Sequence, residues 1–274
     1  MRLLTVLPAA LVALALAPAG AGAQTPGGTP MGNGGPSGGT TSTGFTSGGL
    51  STTAGAAAAV AQPEVGMEDE ALIFGPQPNV FAAQWRSMGV DYVRIQAYWN
   101  ALSPATNSTT IPAGFDPSNP NSPGYNWAPL DAAINAVRNN DMRVMLTLNQ
   151  SNPRWASTQP SKAQASWMPN PTRFAQFVTA VGKRYGSRVD RYLMLSEPNQ
   201  LPFLAPQFTC SGRKCTPVAP HLARALSNAG YTAIKAADPG AQVIVGELAP
   251  IGSPPSRTSG LTPLLFLQQM GCVD

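Results

Sequence analysis

Apolar runs and helix-spaced apolar stripes alternate along the chain from about residue 63 to its end. Short runs rich in Val, Ile, Leu and aromatic residues predict buried strands, whereas apolar residues three and four positions apart predict amphipathic helices. Strict alternation of the two is typical of an α/β fold whose parallel strands are joined by right-handed crossovers. The predicted strands cover a short segment after Glu64 and residues 91–99, 142–149, 188–196 and 242–248; the predicted helices cover residues 78–88, 127–140, 171–185, 221–237 and 261–270.

The first 62 residues lack this alternation. Residues 1–23 carry Arg2, an apolar segment and then small residues, which is the pattern of a secretory signal peptide. The apolar segment is too short to span a bilayer, so we expect export and removal, with retention as an anchor as the alternative. Residues 24–62 are mostly Gly, Ser, Thr, Pro and Ala and predict a disordered linker, either a spacer at the cell surface or a tail without a task. The folded domain is expected over residues 63–274 of a secreted or otherwise extracytoplasmic protein.

Composition argues against several classes of function. The 274 residues are 43% hydrophobic, which suffices for a core once the ends are set aside. The net charge of +4 is spread without Lys/Arg blocks, so we expect no nucleic-acid partner. One histidine, His221, leaves no cluster for zinc and no Ser-His-Asp triad, and the glycines form no phosphate-binding loop. We expect no metal, no cofactor and no stable membrane span after signal cleavage; the oligomeric state is left open.

The apolar run that starts at Arg191 ends in a carboxylate, Glu197, followed directly by Pro198. Pro198 cannot donate a ladder hydrogen bond and favours extended geometry in the residue before it, so we expect Glu197 to be the last residue of this strand. An α/β barrel carries its catalytic groups at the C-terminal ends of its strands. Glu197 is therefore the first candidate for a catalytic residue, and a solvent-exposed loop carboxylate is the alternative.

Two further segments carry candidate site residues. Arg94 interrupts the second strand at a position that points into the sheet or barrel interior, where it needs an anionic partner. Arg94 either forms a structural ion pair or holds an active-site carboxylate. Asn149 ends the third strand and Trp155 follows in the loop, a composition that suits a sugar subsite because amides bind hydroxyls and an aromatic face stacks on a pyranose. Local packing is the alternative for Trp155.

The cysteines predict one disulfide. Export favours oxidation, and Cys210 and Cys215 bracket a four-residue turn in the loop after Glu197, so we expect them to bond and to rigidify one wall of the cleft. Cys272 is left without an internal partner. Two unpaired loop cysteines are the alternative.

Four motifs together resemble the clan A glycoside hydrolases, the (β/α)8 TIM barrels that include family 5 cellulases and family 39 β-xylosidases. The resemblance runs from about Val65 to the end and covers strands one to five of the barrel. The motifs are Gly89-Val-Asp-Tyr-Val-Arg-Ile95 with Trp99, Asn152-Pro-Arg-Trp-Ala156, Leu195-Ser-Glu-Pro-Asn199, and Ala236-Ala-Asp-Pro-Gly240 followed by a strand containing Gly246.

The resemblance implies roles for individual residues. Glu197 takes the place of the general acid/base in the Glu-Pro-Asn motif that Asn199 completes, and Arg94 matches an arginine near the nucleophile. Ser196 departs from the family, which has an asparagine there that contacts the sugar 2-hydroxyl. The implied activity is retaining hydrolysis of O-glycosidic bonds in a poly- or oligosaccharide, in which a second carboxylate about 5 Å away attacks the anomeric carbon.

The resemblance identifies no residue of this chain as the second carboxylate. The family's nucleophile ends strand seven, so we expect an incomplete barrel, cut short before strand six, that is inactive by itself and has exposed sheet edges. Glu247 on the fifth strand is interpreted as a subsite or ion-pair residue. A non-catalytic carbohydrate-binding barrel and a cell-envelope structural protein are the alternative functions.

Overall fold

The computed structural model describes residues 63–253 and 260–272, and the predicted signal peptide and linker lie outside these ranges. Within them, parallel strands alternate with helices, as the apolar pattern predicts. The strands are β1 (Gly66–Met67), β2 (Tyr92–Tyr98), β3 (Arg143–Asn149), β4 (Arg191–Met194), β5 (Phe208–Ser211), β6 (Lys214–Pro217) and β7 (Gln242–Val245). The α-helices are α1 (Glu70–Ile73), α2 (Pro78–Ser87), α3 (Trp99–Leu102), α4 (Ala128–Asn139), α5 (Pro171–Tyr185), α6 (Ala219–Ala237) and α7 (Pro263–Gly271).

The five strands of the main sheet lie in the order β1-β2-β3-β4-β7, and every neighbouring pair is parallel. Each strand is joined to the next by a segment that contains at least one helix, which is the topology of consecutive β/α units of a (β/α)8 barrel. The predicted α/β fold, with the first five strands of such a barrel, is confirmed. Because all five strands run the same way, their C-terminal ends lie at one edge of the sheet.

The two sides of the sheet differ in chemistry. On β2, Val93, Ile95 and Ala97 are fully buried on the side that the helices cover. The alternate residues Arg94 and Gln96 lie on the opposite side, which we call the polar side of the sheet. The alternation along one strand thus supplies apolar contacts to the helices and polar groups to the other side.

Helix α5 shows why the helices pack as predicted. The Asn170 side chain caps it by accepting hydrogen bonds from the backbone amides of Thr172 and Arg173 at 2.9 and 3.2 Å. Its buried stripe contains the predicted residues Phe174, Phe177, Val178, Val181 and Tyr185. Helix α6 approaches closely at glycines: a Cβ atom at Gly182 would lie 2.8 Å from the Cβ of Ala237. Small residues at this contact let the two helices cover β4 together.

Three local features differ from the sequence prediction. The loop predicted between Glu197 and Pro220 contains an antiparallel hairpin of β5 and β6, whose alternating small polar residues gave no strand signal. Strand β4 is shorter than predicted because the backbone turns after Met194. Short helices α1 and α3 follow β1 and β2 directly. Within the described ranges, no helix has the length and hydropathy that crossing a membrane requires.

Candidate active site

The backbone around Glu197 is turned out of the strand rather than extended. Strand β4 ends at Met194, and Leu195 and Glu197 both have positive φ angles, 69° and 40°. The prediction that Glu197 is the last residue of the strand is therefore wrong. The Gln150 side chain holds the turn, because it accepts from the Ser196 amide at 2.9 Å and donates to the Ser196 carbonyl at 2.7 Å. Left-handed backbone at non-glycine residues costs on the order of 1–3 kcal/mol each and is concentrated at functional sites.

The Glu197 side chain is partly exposed beyond this turn. It forms no hydrogen bond or ion pair with another residue of the described ranges, whereas its own carbonyl accepts from the Gln200 amide at 2.9 Å. Among the described residues, nothing that bonds to this carboxylate at the C-terminal edge of the sheet competes with a ligand for it.

Arg94 lies on the polar side of the sheet and contacts two other carboxylates. Its Nη1 donates to Glu68 Oε2 at 3.0 Å, its Nη2 donates to Glu247 Oε1, and its Nε donates to Thr147 Oγ1 at 2.9 Å. Its side chain is 20% exposed. The arginine therefore has the anionic partners that its position requires, and Glu197 is not bonded to it.

Glu247 follows β7 at the same edge of the sheet as Glu197. Strands β4 and β7 are neighbours, with Met194 opposite Val245, so both carboxylates leave adjacent strands within three residues of this pair. Burial raises the pKa of Glu247, the Arg94 guanidinium opposes that shift, and the negative charge of Glu197 adds to it. Glu247 Oε2 is buried without a hydrogen-bond partner. The two carboxyl groups are thus electrostatically coupled.

A buried amide network lies beneath these carboxylates. Asn149 Nδ2 donates to Gln96 Oε1 at 2.9 Å, and Asn149 Oδ1 accepts from the Ser151 amide at 3.0 Å. Gln96 Nε2 lies 3.4 Å from Ser196 Oγ. Asn149 is fully buried and Ser196 is 2% exposed. Because both ends of the Asn149 amide are bonded within the protein, the prediction that it contacts substrate directly is not supported, and it supports the site from below.

Trp155 does not lie in a sugar subsite. It is 6% exposed, its Nε1 donates to the Pro104 carbonyl at 3.0 Å, and its ring packs edge-on against Phe115 and Trp99. The long loop after α3 folds over the ring and buries it. The predicted substrate-binding role of Trp155 is corrected: this residue belongs to the core, which was the alternative interpretation.

Asn199 is also a structural residue. It is fully buried, and its Nδ2 donates to the carbonyls of Ala249 and Leu261, both at 3.0 Å. Its Oδ1 accepts from the Ala249 amide at 2.9 Å. The side chain therefore ties the loop that carries Glu197 to the segment after β7, and it is not free to bind substrate as predicted.

A further carboxyl group on the polar side, that of Glu70, was not predicted from the sequence. Glu70 accepts a hydrogen bond from the Tyr98 hydroxyl at 2.6 Å, and its other oxygen is buried without a partner. Burial raises the pKa of Glu70, and its hydrogen bond with Tyr98 opposes the shift. Two features of the sequence could have indicated Glu70 and its partner Tyr98. One is the alternation of Arg94, Gln96 and Tyr98 along β2, and the other is the run of acidic residues soon after β1.

A disulfide joins Cys210 and Cys215, which lie opposite each other in the β5–β6 hairpin. The hairpin stands in the loop that follows β4. That it forms one wall of a cleft beside Glu197 stays a prediction. Cys272 is exposed and is the free cysteine within the described ranges.

No protein-family model matches the chain, and no curated protein is significantly similar to it. Its structural neighbours are glycoside hydrolases. A family 39 glycoside hydrolase from Bacteroides cellulosilyticus WH2 is 14% identical, with a TM-score of 0.40, over 67% of this chain and 31% of that enzyme. An endo-1,4-beta-mannanase from Rhizomucor miehei is 16% identical, with a TM-score of 0.45, over 67% of this chain and 56% of that one. GH5_18 from Streptomyces cattleya is 14% identical, with a TM-score of 0.46, over 69% and 45%.

The chain spans less than two thirds of the length of each of the three. Likeness at this level transfers no activity or substrate from those proteins to this chain, so function has to be argued from the chain's own residues.

Proposed function

We propose that the chain carries the acid/base half of an exported glycoside hydrolase, with Glu197 as the general acid/base. The observation that carries the proposal is the state of Glu197: a partly exposed carboxylate at the C-terminal edge of a parallel sheet, without a partner among the described residues. The strained backbone at Leu195 and Glu197 fixes where this side chain begins. Export is supported by the signal-like pattern of residues 1–23.

The chemistry follows from the protonation state of Glu197. In a retaining mechanism, the protonated acid gives its proton to the leaving oxygen while a second carboxylate attacks the anomeric carbon, and the deprotonated acid then activates water. Glu247 is engaged by Arg94, so we assign it no nucleophilic role.

A second candidate function is non-catalytic carbohydrate binding. The ion pair between Arg94 and Glu247 favours this function. Near the ends of β4 and β7, it leaves only Glu197 without a bonded partner among the carboxylates of the described ranges. Two carboxylates acting together are needed for hydrolysis, whereas binding needs none.

Because no residue of this chain is assigned the nucleophile, the test measures glycoside hydrolysis by the protein extended by strands six to eight of the barrel, with glutamate or glutamine at position 197. We expect the Glu197→Gln variant to lose about 10²- to 10⁴-fold in kcat on oligosaccharides, whose leaving groups need protonation, and much less on 2,4-dinitrophenyl glycosides. Asp141→Asn is the matched control, because Asp141 is an exposed carboxylate before β3, at the other edge of the sheet, and asparagine tolerates its positive φ of 54°.

Two results would overturn the assignment. Equal kcat on oligosaccharides for wild type and Glu197→Gln would remove the acid/base role. Absence of hydrolysis by the extended protein with Glu197 intact, on both substrate classes, would reject the enzyme and favour the carbohydrate-binding function.

A further inference from the structure

A separate cavity opens between the loop after β3 and the loop after β4. Its volume is about 380 Å³, and its walls include Gln159, Trp167, Leu201, Phe208 and Thr209. This is within the size range of small-ligand sites, on the order of 300–1,000 Å³. Of the site residues predicted from the sequence, only Cys210 lines this cavity. Its disulfide with Cys215 closes the hairpin that forms one wall.

Trp167 is held rigidly at this cavity. The neighbouring backbone is pinned to the opposite loop, because the Met168 amide donates to the Ala205 carbonyl at 2.7 Å and the Ala205 amide donates to the Ser166 carbonyl at 2.8 Å. The indole Nε1 donates to Gln159 Oε1 at 2.9 Å. Trp167 is partly exposed. The other four of the chain's five tryptophans, Trp85, Trp99, Trp127 and Trp155, are at most 6% exposed.

The two walls carry positive charge and no negative charge. Residues 150–170 and 198–218 contain no Asp or Glu. Lys162 places its ammonium 5.4 Å from the centre of the Trp167 ring. Lys214 lies opposite Ser211 in the hairpin, on the same face as Thr209, because strand side chains alternate. The ion pairs of the described residues include neither lysine.

We propose that this cavity binds an acidic saccharide, a chain whose sugar rings bear carboxylates. Trp167 offers a ring face for the C–H groups of a pyranose, and Gln159 and Thr209 offer polar groups to its hydroxyls. Lys162, whose ammonium lies over the Trp167 ring, offers a cation to a carboxylate. The inference deepens the proposed function and rests on it for its biological meaning. Leu201 in the cavity wall lies four residues after Glu197, in the loop that follows β4.

Tryptophan fluorescence tests the binding without any hydrolysis. Because the other four tryptophans are buried, acrylamide quenching and ligand-induced changes in emission report mainly on Trp167. The probe is trigalacturonate at pH 7, and its fully methyl-esterified form is the matched neutral ligand. We expect saturable protection of Trp167 from quenching by the acid, with at least several-fold weaker binding of the ester and weakening of acid binding at high salt.

Variants separate the two contributions. Lys162→Ala should weaken binding of the acid about 2- to 5-fold and leave binding of the ester unchanged, as expected for one exposed charge. Lys183→Ala on α5 is the control and should change neither. Trp167→Ala removes the optical signal, so calorimetry is used; we expect about a 10-fold or greater loss for both ligands.

The outcomes are decisive and independent of catalysis. Equal affinity for acid and ester would overturn the anionic specificity, and no protection of Trp167 by either ligand would overturn the site. Binding by the chain, together with a lack of hydrolysis by the protein extended by strands six to eight, would leave this inference standing while the proposed hydrolase function fails. Hydrolysis that requires Glu197 without protection of Trp167 would do the reverse.

Discussion

Replacing Asn199 by alanine should destabilise the fold strongly, although the residue was predicted to contact substrate. The side chain is fully buried and bonds both the amide and the carbonyl of Ala249 as well as the carbonyl of Leu261. Each lost hydrogen bond costs about 1 kcal/mol net, and a buried Ala249 amide left without an acceptor costs about 1–3 kcal/mol more. We therefore expect Asn199→Ala to lower the free energy of unfolding by about 4 kcal/mol, a large share of the roughly 5–15 kcal/mol that stabilises a typical domain.

Urea unfolding followed by circular dichroism measures this loss. Asn228→Ala on α6 is the matched control, because Asn228 is exposed and its change should stay within about 0.5 kcal/mol of wild type. Asn199→Asp keeps the acceptor for the Ala249 amide but loses both donors and buries a charge, so it should not rescue stability. A loss below 1 kcal/mol in Asn199→Ala, with an unchanged slope against urea, would refute the view that this side chain joins the two segments.

Three further outcomes follow from the structure. Burial raises the pKa of Glu70 above the usual glutamate value of 4.5. The stability linked to its proton is therefore present below pH 4.5 and is lost as the pH rises through the pKa of Glu70 in the folded state. Glu70→Gln should therefore have the same free energy of unfolding as wild type in acid and a higher one near neutrality, as urea unfolding at each pH would measure. Trp155→Ala should lower the free energy of unfolding by about 3–5 kcal/mol without weakening saccharide binding at the cavity lined by Trp167. Thiol titration of the unreduced, denatured chain should find one thiol of the three cysteines, and Cys210→Ser with Cys215→Ser should cost about 2 kcal/mol for so short a loop.

The periodic parts of the chain were predictable because local pattern and tertiary packing agree there. The buried stripe of α5 and its cap at Asn170 follow from spacing and capping chemistry alone. The alternation on β2 likewise indicated that Arg94 points to the polar side. Its partners were not predictable, because Glu247 lies 153 residues away and meets Arg94 only through the register of four paired strands.

The turn at Glu197 shows a local rule overridden by a tertiary contact. Pro198 favours extended geometry in the residue before it, yet Glu197 has a φ of 40°. The side chain of Gln150, in the loop after β3, bonds both the amide and the carbonyl of Ser196, and those bonds hold the left-handed turn. Trp155 was misplaced for a related reason: whether a loop tryptophan is exposed depends on what folds over it, here Pro104 and Phe115.

The balance of charge on the polar side of the sheet bears on how Glu197 can act. Glu68 and Glu247 share one guanidinium, that of Arg94, while Glu70 is bonded to a neutral hydroxyl. Ionising every carboxyl group would leave one cation against several negative charges in a partly buried space, and burial raises the pKa of both Glu70 and Glu247. The raised pKa values mean that Glu70 and Glu247 keep their protons to a higher pH than an isolated glutamate does. Glu197 lies beyond this group, partly exposed and without a bonded partner among the described residues, so an acid at this position can exchange its proton with solvent.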